Sequence, residues 1–246
     1  GQCWTQCPDS AIPGLVNSVE ELIGAGIDAA TNGVPLDRVR QIAKPLAKEA
    51  RRQMDGAPTL GLAEALAAAF PIVAGKMGFD GDKRAVLDAE FAKVHQVIAE
   101  FPLARTKPFF DIPEGKAKGS GGLLSITVNP EACKGCNLCV EVCPDHALVT
   151  VKQDAPTLSR LRKNWDMWKL LPDTDDHFIN VSNLNEGIGV LSSLLLKKET
   201  YRSMVGGDGA CMGCGEKTAV HLIVSTVQAM MSSRVEKYVA RLDALI

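Results

Sequence analysis

The chain has 246 residues, of which 27 are basic and 29 acidic, and its formal net charge is −2. This balance gives no electrostatic reason to expect a nucleic acid or an anionic membrane surface as the main partner. No segment reaches the roughly 18 unbroken apolar residues that a membrane span requires. Because residue 1 is not Met and cysteines follow at once, no signal peptide is predicted, and we expect an internal piece of a longer polypeptide.

Residues 15–105 are predicted to form four helices. Ser18 and Glu21 have the spacing of a capping box, which predicts that the first helix begins there. Pro45 is expected to kink the second helix. His95 lies within the helical pattern of the fourth, and we expect a structural or exposed side chain. From the apolar periodicity, the helices are predicted at about 19–30, 36–54, 59–74 and 82–101.

A Pro- and Gly-rich connector follows at 108–122 and is predicted to be flexible. Residues 123–129, LLSITVN, are predicted to form a short β segment that leads to Cys133. Trp165 and Trp168 are predicted to anchor an irregular segment on a core. Two helices are predicted to end the sequence, and the second carries an amphipathic stripe made of Val235, Tyr238, Val239, Leu242 and Leu245.

Eight cysteines are the main feature of the composition. They are clustered, and none lies between Cys7 and Cys133. A secreted disulfide scaffold instead spreads its cysteines through a short chain. Clustered thiols without a secretion signal indicate metal binding in a reducing compartment, which predicts a cytoplasmic protein.

One cysteine run, followed by Pro144, has the Cys-x-x-Cys-x-x-Cys-x-x-x-Cys-Pro spacing of bacterial iron–sulfur proteins. Two-residue gaps let one loop bring three thiolates to one cubane, and Gly135 avoids a side chain that would obstruct the backbone. Zinc sites use two separated pairs of ligands rather than one compact run. We therefore predict [4Fe–4S] binding by Cys133, Cys136, Cys139 and Cys143.

The first residues repeat the end of this run, since CPDSAI and CPDHAL share four of six residues. In two-cluster ferredoxins the fourth cysteine of each run binds the cluster of the other run. The complete cluster predicted for this chain has the ligands Cys7, Cys133, Cys136 and Cys139. A second, partial cluster is predicted at Cys3 and Cys143, with its other two ligands upstream of Gly1.

A third pair, Cys211 and Cys214, lies in the sequence GACMGCGE. Zinc ribbons and thioredoxin-like redox pairs also contain Cys-x-x-Cys. A thioredoxin pair follows a strand in a βαβ unit, whereas glycines surround this pair and a helix is predicted after it. Structural zinc at this pair stays open as an alternative.

The two ferredoxin-type motifs, the linker and GACMGCGE together resemble pyruvate:ferredoxin oxidoreductase and its 2-oxoacid relatives. The resemblance covers the first dozen residues and about 123–232. It implies that Cys211 and Cys214 bind the [4Fe–4S] cluster nearest thiamine diphosphate, which makes this the second of two clusters with only part of their ligands in the chain. It also implies that Glu216 contacts the thiamine cofactor. It also implies magnesium, coenzyme A, a 2-oxoacid (pyruvate first), ferredoxin or flavodoxin as acceptor, and a homo-oligomer.

The predicted fold class is α+β, with a two-cluster ferredoxin-like βαβ unit split by a helical insertion. A linker and the first helices of an α/β thiamine-diphosphate domain follow. The predicted boundaries are 1–14 for the half motif, 15–112 for the helical insertion and connector, 113–155 for the second motif, 156–205 for the linker, and 206–246 for the thiamine-diphosphate part.

The predicted function is the electron-transfer portion of an enzyme that oxidatively decarboxylates a 2-oxoacid. No residue of the chain is predicted to catalyse the decarboxylation, so activity is expected to need further domains of the same polypeptide. The helical insertion is a departure from the family pattern, in which the two cysteine runs lie closer together. The alternative is a polyferredoxin-type electron-transfer subunit without an active site of its own.

Overall fold

The computed structural model of the chain describes residues 1–179, 189–198 and 215–245. Its strands are β1 (Gly14–Ser18), β2 (Leu103–Ala104) and β3 (Gly122–Ile126). Its helices are α1 (Gln2–Thr5), α2 (Val19–Ala30), α3 (Asp37–Gly56), α4 (Leu62–Lys76), α5 (Gly81–Glu100), α6 (Ile112–Lys116), α7 (Leu138–Glu141), α8 (Ala155–Leu170), α9 (Val190–Leu194) and α10 (Gly215–Asp243). A π-helical turn covers Lys107–Asp111, and a 3-10 turn covers Asp176–Phe178. The predicted mixture of helices and strands is confirmed.

The three strands form one small antiparallel sheet, with β3 between β1 and β2. All five residues of β1 pair with β3, beginning with Gly14 opposite Ile126. Successive side chains of a strand point to opposite faces. Leu15 therefore enters the apolar core of the helices, whereas Val16 enters a second apolar cluster that includes Cys3. The sheet separates the helical core from the cysteine-bearing part of the molecule.

Helices α2 to α5 form most of the helical core, as the sequence predicted. The capping box is present: the Ser18 Oγ accepts the N–H of Glu21 at 3.2 Å, and the Glu21 carboxylate accepts the N–H of Ser18 at 2.8 Å. Helix α3 continues through Pro45. The half-buried His95 ring places Nε2 2.9 Å from the carbonyl oxygen of Ala63, which is a structural role.

Two segments are more regular than predicted. The connector is folded around the carboxylate of Glu114, which is buried and accepts the N–H groups of Gly119 and Gly121 at 2.8 and 2.9 Å. Trp165 and Trp168 lie on the regular helix α8, and their rings stack with centroids 4.6 Å apart. Hydrophobic periodicity predicts neither arrangement. The Glu114 carboxylate binds backbone N–H groups of a loop, and the tryptophans pack on the helical core.

One continuous helix, α10, is present where two helices were predicted, so that prediction was wrong. The apolar side chains of the predicted stripe lie along α10 and just after its end, and they are exposed in the described part of the chain. Among the described residues, no helix combines the length and apolar character needed to cross a membrane.

Two glycines of α2 provide a matched test of helix packing. A Cβ added to Gly26 would lie 2.9 Å from Cγ1 of the buried Ile98 in α5, whereas nothing lies within 4 Å of one added to Gly24. We expect Gly26→Ala to lower the free energy of unfolding by about 1–3 kcal/mol through overpacking. Gly24→Ala should raise it by about 0.5–1 kcal/mol, because alanine favours a helix. Urea denaturation measures both values, and equal effects would contradict the close approach of α2 and α5.

Candidate iron–sulfur site

The β1–β3 ladder brings together the two parts of the sequence that carry the first six cysteines. β1 follows Cys7, and β3 precedes Cys133. Pairing continues beyond the strands, where the N–H of Asn129 donates to the carbonyl oxygen of Ala11 at 2.7 Å. The helical insertion therefore leaves the ladder at one end, while the cysteine motifs meet at the other.

An ion pair also joins the two cysteine motifs. The Lys134 ammonium lies 3.6 Å from a carboxylate oxygen of Asp9, whose side chain is only 8% exposed. Lys134 lies between the first two cysteines of the second run, and Asp9 follows the Cys-Pro of the first motif. This pair holds the loop of one motif against the turn of the other.

Cys7 begins a tight turn that directs backbone N–H groups toward its own carbonyl and sulfur. The N–H of Ser10 donates to the Cys7 carbonyl oxygen at 3.2 Å, and the N–H of Ala11 donates to Cys7 Sγ at 3.2 Å. Ser10 has a φ of 47°, in the left-handed region. The turn therefore supplies a backbone hydrogen-bond donor to the Cys7 sulfur.

Cys143 begins the same turn in the second motif. The N–H of His146 donates to the Cys143 carbonyl oxygen at 3.2 Å, and the N–H of Ala147 donates to Cys143 Sγ at 3.3 Å. His146 has a φ of 49°, close to that of Ser10 in the first motif. The repeated sequence Cys-Pro-Asp-x-Ala thus corresponds to a repeated backbone structure, and His146 has the same backbone role as Ser10.

Two short helices carry the third cysteine position of each motif. Cys3 lies on α1 and Cys139 on α7, and these helices pack against each other. Burial raises the pKa of the Cys3 thiol, and the nearby thiol of Cys143 raises it further. Burial also raises the pKa of Cys139. Four nearby thiols raise it further and are, in decreasing order of effect, Cys7, Cys133, Cys136 and Cys3.

These interactions bring together the residues of both predicted cluster sites. The Cys139 thiol lies near the other three thiols of the predicted complete set and also near Cys3, and the Cys3 thiol lies near Cys143. Cys7 and Cys139 also pack against the apolar cluster that contains Cys3. The assignment of each thiol to one cluster stays a prediction.

The donor set fits a [4Fe–4S] cluster. The loop that carries Cys133 and Cys136 bends at Gly135 and Asn137, whose φ values are 68° and 64°. Within the described ranges, no three His, Cys, Asp or Glu side chains converge as the ligands of a single metal ion do. A cubane has a different requirement, because each of its four thiolates binds a separate iron.

The third cysteine pair lies elsewhere in the sequence. Cys211 and Cys214 are outside the described residues. Glu216 is in the first turn of α10, and its side chain is outside the description as well. Their roles toward a proximal cluster and thiamine diphosphate therefore stay predictions from the resemblance.

Comparison with known proteins supports this site. Residues 126–149 match the family model of the 4Fe-4S binding domain. The chain is 26% identical over 140 residues to a pyruvate-flavodoxin oxidoreductase of Nostoc, which covers 54% of the chain and 10% of that protein. It is 27% identical over 116 residues to the Rhodospirillum rubrum protein of the same name, and the match covers 45% of the chain and 9% of that protein. Over about half of its length, the chain is thus similar to pyruvate-flavodoxin oxidoreductases.

The chain is also similar to a protein of a different name, the mitochondrial pyruvate dehydrogenase [NADP(+)] of Euglena gracilis. Its identity is 35% over 111 residues, which is 44% of the chain and 5% of that protein. The chain spans about a tenth or less of the length of these curated relatives. No solved structure matches it significantly.

Proposed function

We propose that this chain is the electron-transfer part of an enzyme that oxidatively decarboxylates a 2-oxoacid, with pyruvate as the first candidate. Coenzyme A would accept the acyl group, and flavodoxin or ferredoxin would accept the electrons. The observation that carries the proposal is the convergence of the two cysteine motifs, which the β1–β3 ladder and the Lys134–Asp9 ion pair hold together. The names of the relatives support the substrate and the flavodoxin acceptor.

The residues of the chain would hold the electron carriers and adjust their surroundings. A [4Fe–4S] cluster supplies one-electron transfer when bound. The N–H groups of Ala11 and Ala147 would reduce the negative charge on the sulfurs of Cys7 and Cys143, which favours the reduced cluster. Apolar side chains around Cys3 would have the opposite effect by excluding water.

When bound, the thiamine cofactor and magnesium implied by the resemblance would supply the carbanion chemistry of decarboxylation. Glu216 is proposed to contact it from the first turn of α10. Cys211 and Cys214 are proposed to bind the cluster that first receives the electrons. This order would deliver electrons from the thiamine site to the two ferredoxin-type sites of the described structure.

The test uses the longer polypeptide that contains these residues, purified under anaerobic conditions. We expect pyruvate and coenzyme A together to drive reduction of flavodoxin. Cys136→Ser should abolish the electron paramagnetic resonance signal of one cluster and greatly slow flavodoxin reduction, because one of four iron ligands is lost. Val149→Ser is the control, since Val149 is 74% exposed near the same motif and removes no thiol.

Two results would count against the proposal in different ways. Clusters that form normally without any oxoacid-dependent reduction would contradict the enzyme and favour a polyferredoxin-type electron-transfer subunit. Iron and labile sulfide near zero in anaerobically purified protein would contradict both. Zinc at one pair of thiols would support the structural alternative for Cys211 and Cys214.

A further inference from the structure

Residues 189–198 lie against the side of the site that contains Cys3. Helix α9 packs on α1, and the indole N–H of Trp4 donates to the carbonyl oxygen of Ser192 at 3.1 Å. Leu195 and Leu196 are almost completely buried in the same apolar cluster as Cys3. This segment, which we name the clamp, therefore covers apolar surface next to one of the predicted cluster ligands.

Thr174 connects the clamp to the sheet. Its hydroxyl accepts the N–H of Val16 at 3.0 Å and donates to the carbonyl oxygen of Leu196 at 2.7 Å. Among the described strands, β1 lies at the edge of the sheet, so the N–H of Val16 needs an acceptor from outside the sheet. A hydroxyl can accept one such bond and donate another, whereas an apolar side chain can do neither. The Thr174 side chain is buried, so both bonds are shielded from water.

The residues next to Thr174 also hydrogen-bond, on one side to the clamp and on the other to β1. The Asp173 carboxylate accepts the N–H of Lys198 at 2.8 Å, at the end of the clamp. The Asn17 amide donates to the carbonyl oxygen of Pro172 at 3.1 Å, at the edge of β1. Residues 172–174 therefore lie between the edge of β1 and the clamp, with Thr174 bonded to both.

We propose that Thr174 is a positioning residue that holds the clamp over the Cys3–Cys143 site and keeps water away from it. This inference rests on the proposed function, because it assumes a cluster at that site. Reduction adds one negative charge to a cluster, and a water-poor environment disfavours the added charge. The reduction potential of the covered site should therefore lie below that of the site with Cys133 and Cys136, which are both exposed.

The experiment compares variants of the longer polypeptide, with its clusters intact and under anaerobic conditions. Thr174→Val removes the hydroxyl at nearly constant shape. We expect hydrogen exchange of residues 189–198 to become about tenfold faster, because a buried N–H and a carbonyl lose their partner. In redox titrations followed by electron paramagnetic resonance, the potential of the more negative ferredoxin-type cluster should shift to a more positive value.

Two further variants serve as controls. Thr174→Ser keeps the hydroxyl and should restore the exchange rate and the potential. Thr31→Val removes a hydroxyl that donates to the carbonyl oxygen of Ile27 at 2.7 Å at the C-terminal end of α2, and should change neither. If Thr174→Val does not fold, Trp4→Phe removes the indole donor to Ser192 and keeps an aromatic ring, although a smaller one, at this buried position. A smaller shift in the same direction is expected.

The outcomes separate this inference from the proposed function. Faster exchange with unchanged potentials would contradict the exclusion of water by the clamp, and unchanged exchange would contradict the positioning role of Thr174. A single ferredoxin-type cluster in the unaltered protein would also overturn the inference. Absence of all iron–sulfur signals before any substitution would instead overturn the proposed function.

Discussion

Cys7→Ser is expected to abolish the [4Fe–4S] cluster that residues 1–246 can assemble, whereas Cys3→Ser should leave that cluster in place. Cys7 and Cys139 pack against the same apolar cluster, and Cys133 and Cys136 complete the predicted set of four ligands. A serine hydroxyl stays protonated at neutral pH and is a poor substitute for thiolate. The loss of Cys7 would therefore leave three ligands for a cluster that uses four.

The measurement is anaerobic reconstitution of this 246-residue chain with iron and sulfide, followed by iron and sulfide analysis. About four iron atoms per chain are expected for the unaltered chain and for Cys3→Ser, as one cubane requires. Iron should fall to near zero in Cys7→Ser. Cys3 is a matched control, because it lies in the same motif but is predicted to bind the other cluster, with Cys143. Equal iron loss in both variants would contradict ligand exchange between the two motifs.

The helical part of the fold was predictable because the signals for its helices come from residues close together in the sequence. The Ser18–Glu21 capping box and the apolar periodicity of α2 to α5 depend on residues within a few turns of each other. β1 was missed, and residues after Gly14 were expected to be helical. Leu15 and Val16 are both buried, on opposite faces of the sheet, so β1 shows no alternation of apolar and polar residues. Its partner, β3, lies about a hundred residues later in the sequence.

The cysteine site was predictable in its chemistry but only partly in its geometry. The spacing of the second run predicted an iron–sulfur site, and the 4Fe-4S binding domain match confirms that motif. The N–H groups of Ala11 and Ala147 were missed as donors to sulfur, although the repeated Cys-Pro-Asp-x-Ala sequence could have indicated them. Thr174 has no comparable motif, since its two partners are distant in the sequence.

Gly122→Val is expected to weaken both the fold and the binding of iron. A Cβ added to Gly122 would lie 2.6 Å from Cζ of Phe178 and 2.7 Å from Cγ1 of Val16, and both neighbours are buried. Valine favours strands in general, but no space exists for it at this position. Overpacking of this kind costs about 1–3 kcal/mol of unfolding free energy. The control is Gly115→Val, because nothing lies within 4 Å of a Cβ added to Gly115.

The effect on iron follows from the position of Gly122 at the far end of the β1–β3 ladder, opposite Ser18. This ladder holds Cys7 beside the loop of Cys133, so a loosened ladder should lower iron retained per chain after reconstitution. Because a bound cluster stabilises the folded chain, the unfolding free energy must first be measured without iron. Unaltered unfolding and iron content would contradict the close packing of β1, β3 and Phe178. A loss of stability with full iron retention would instead show that the two cysteine motifs stay together without this ladder.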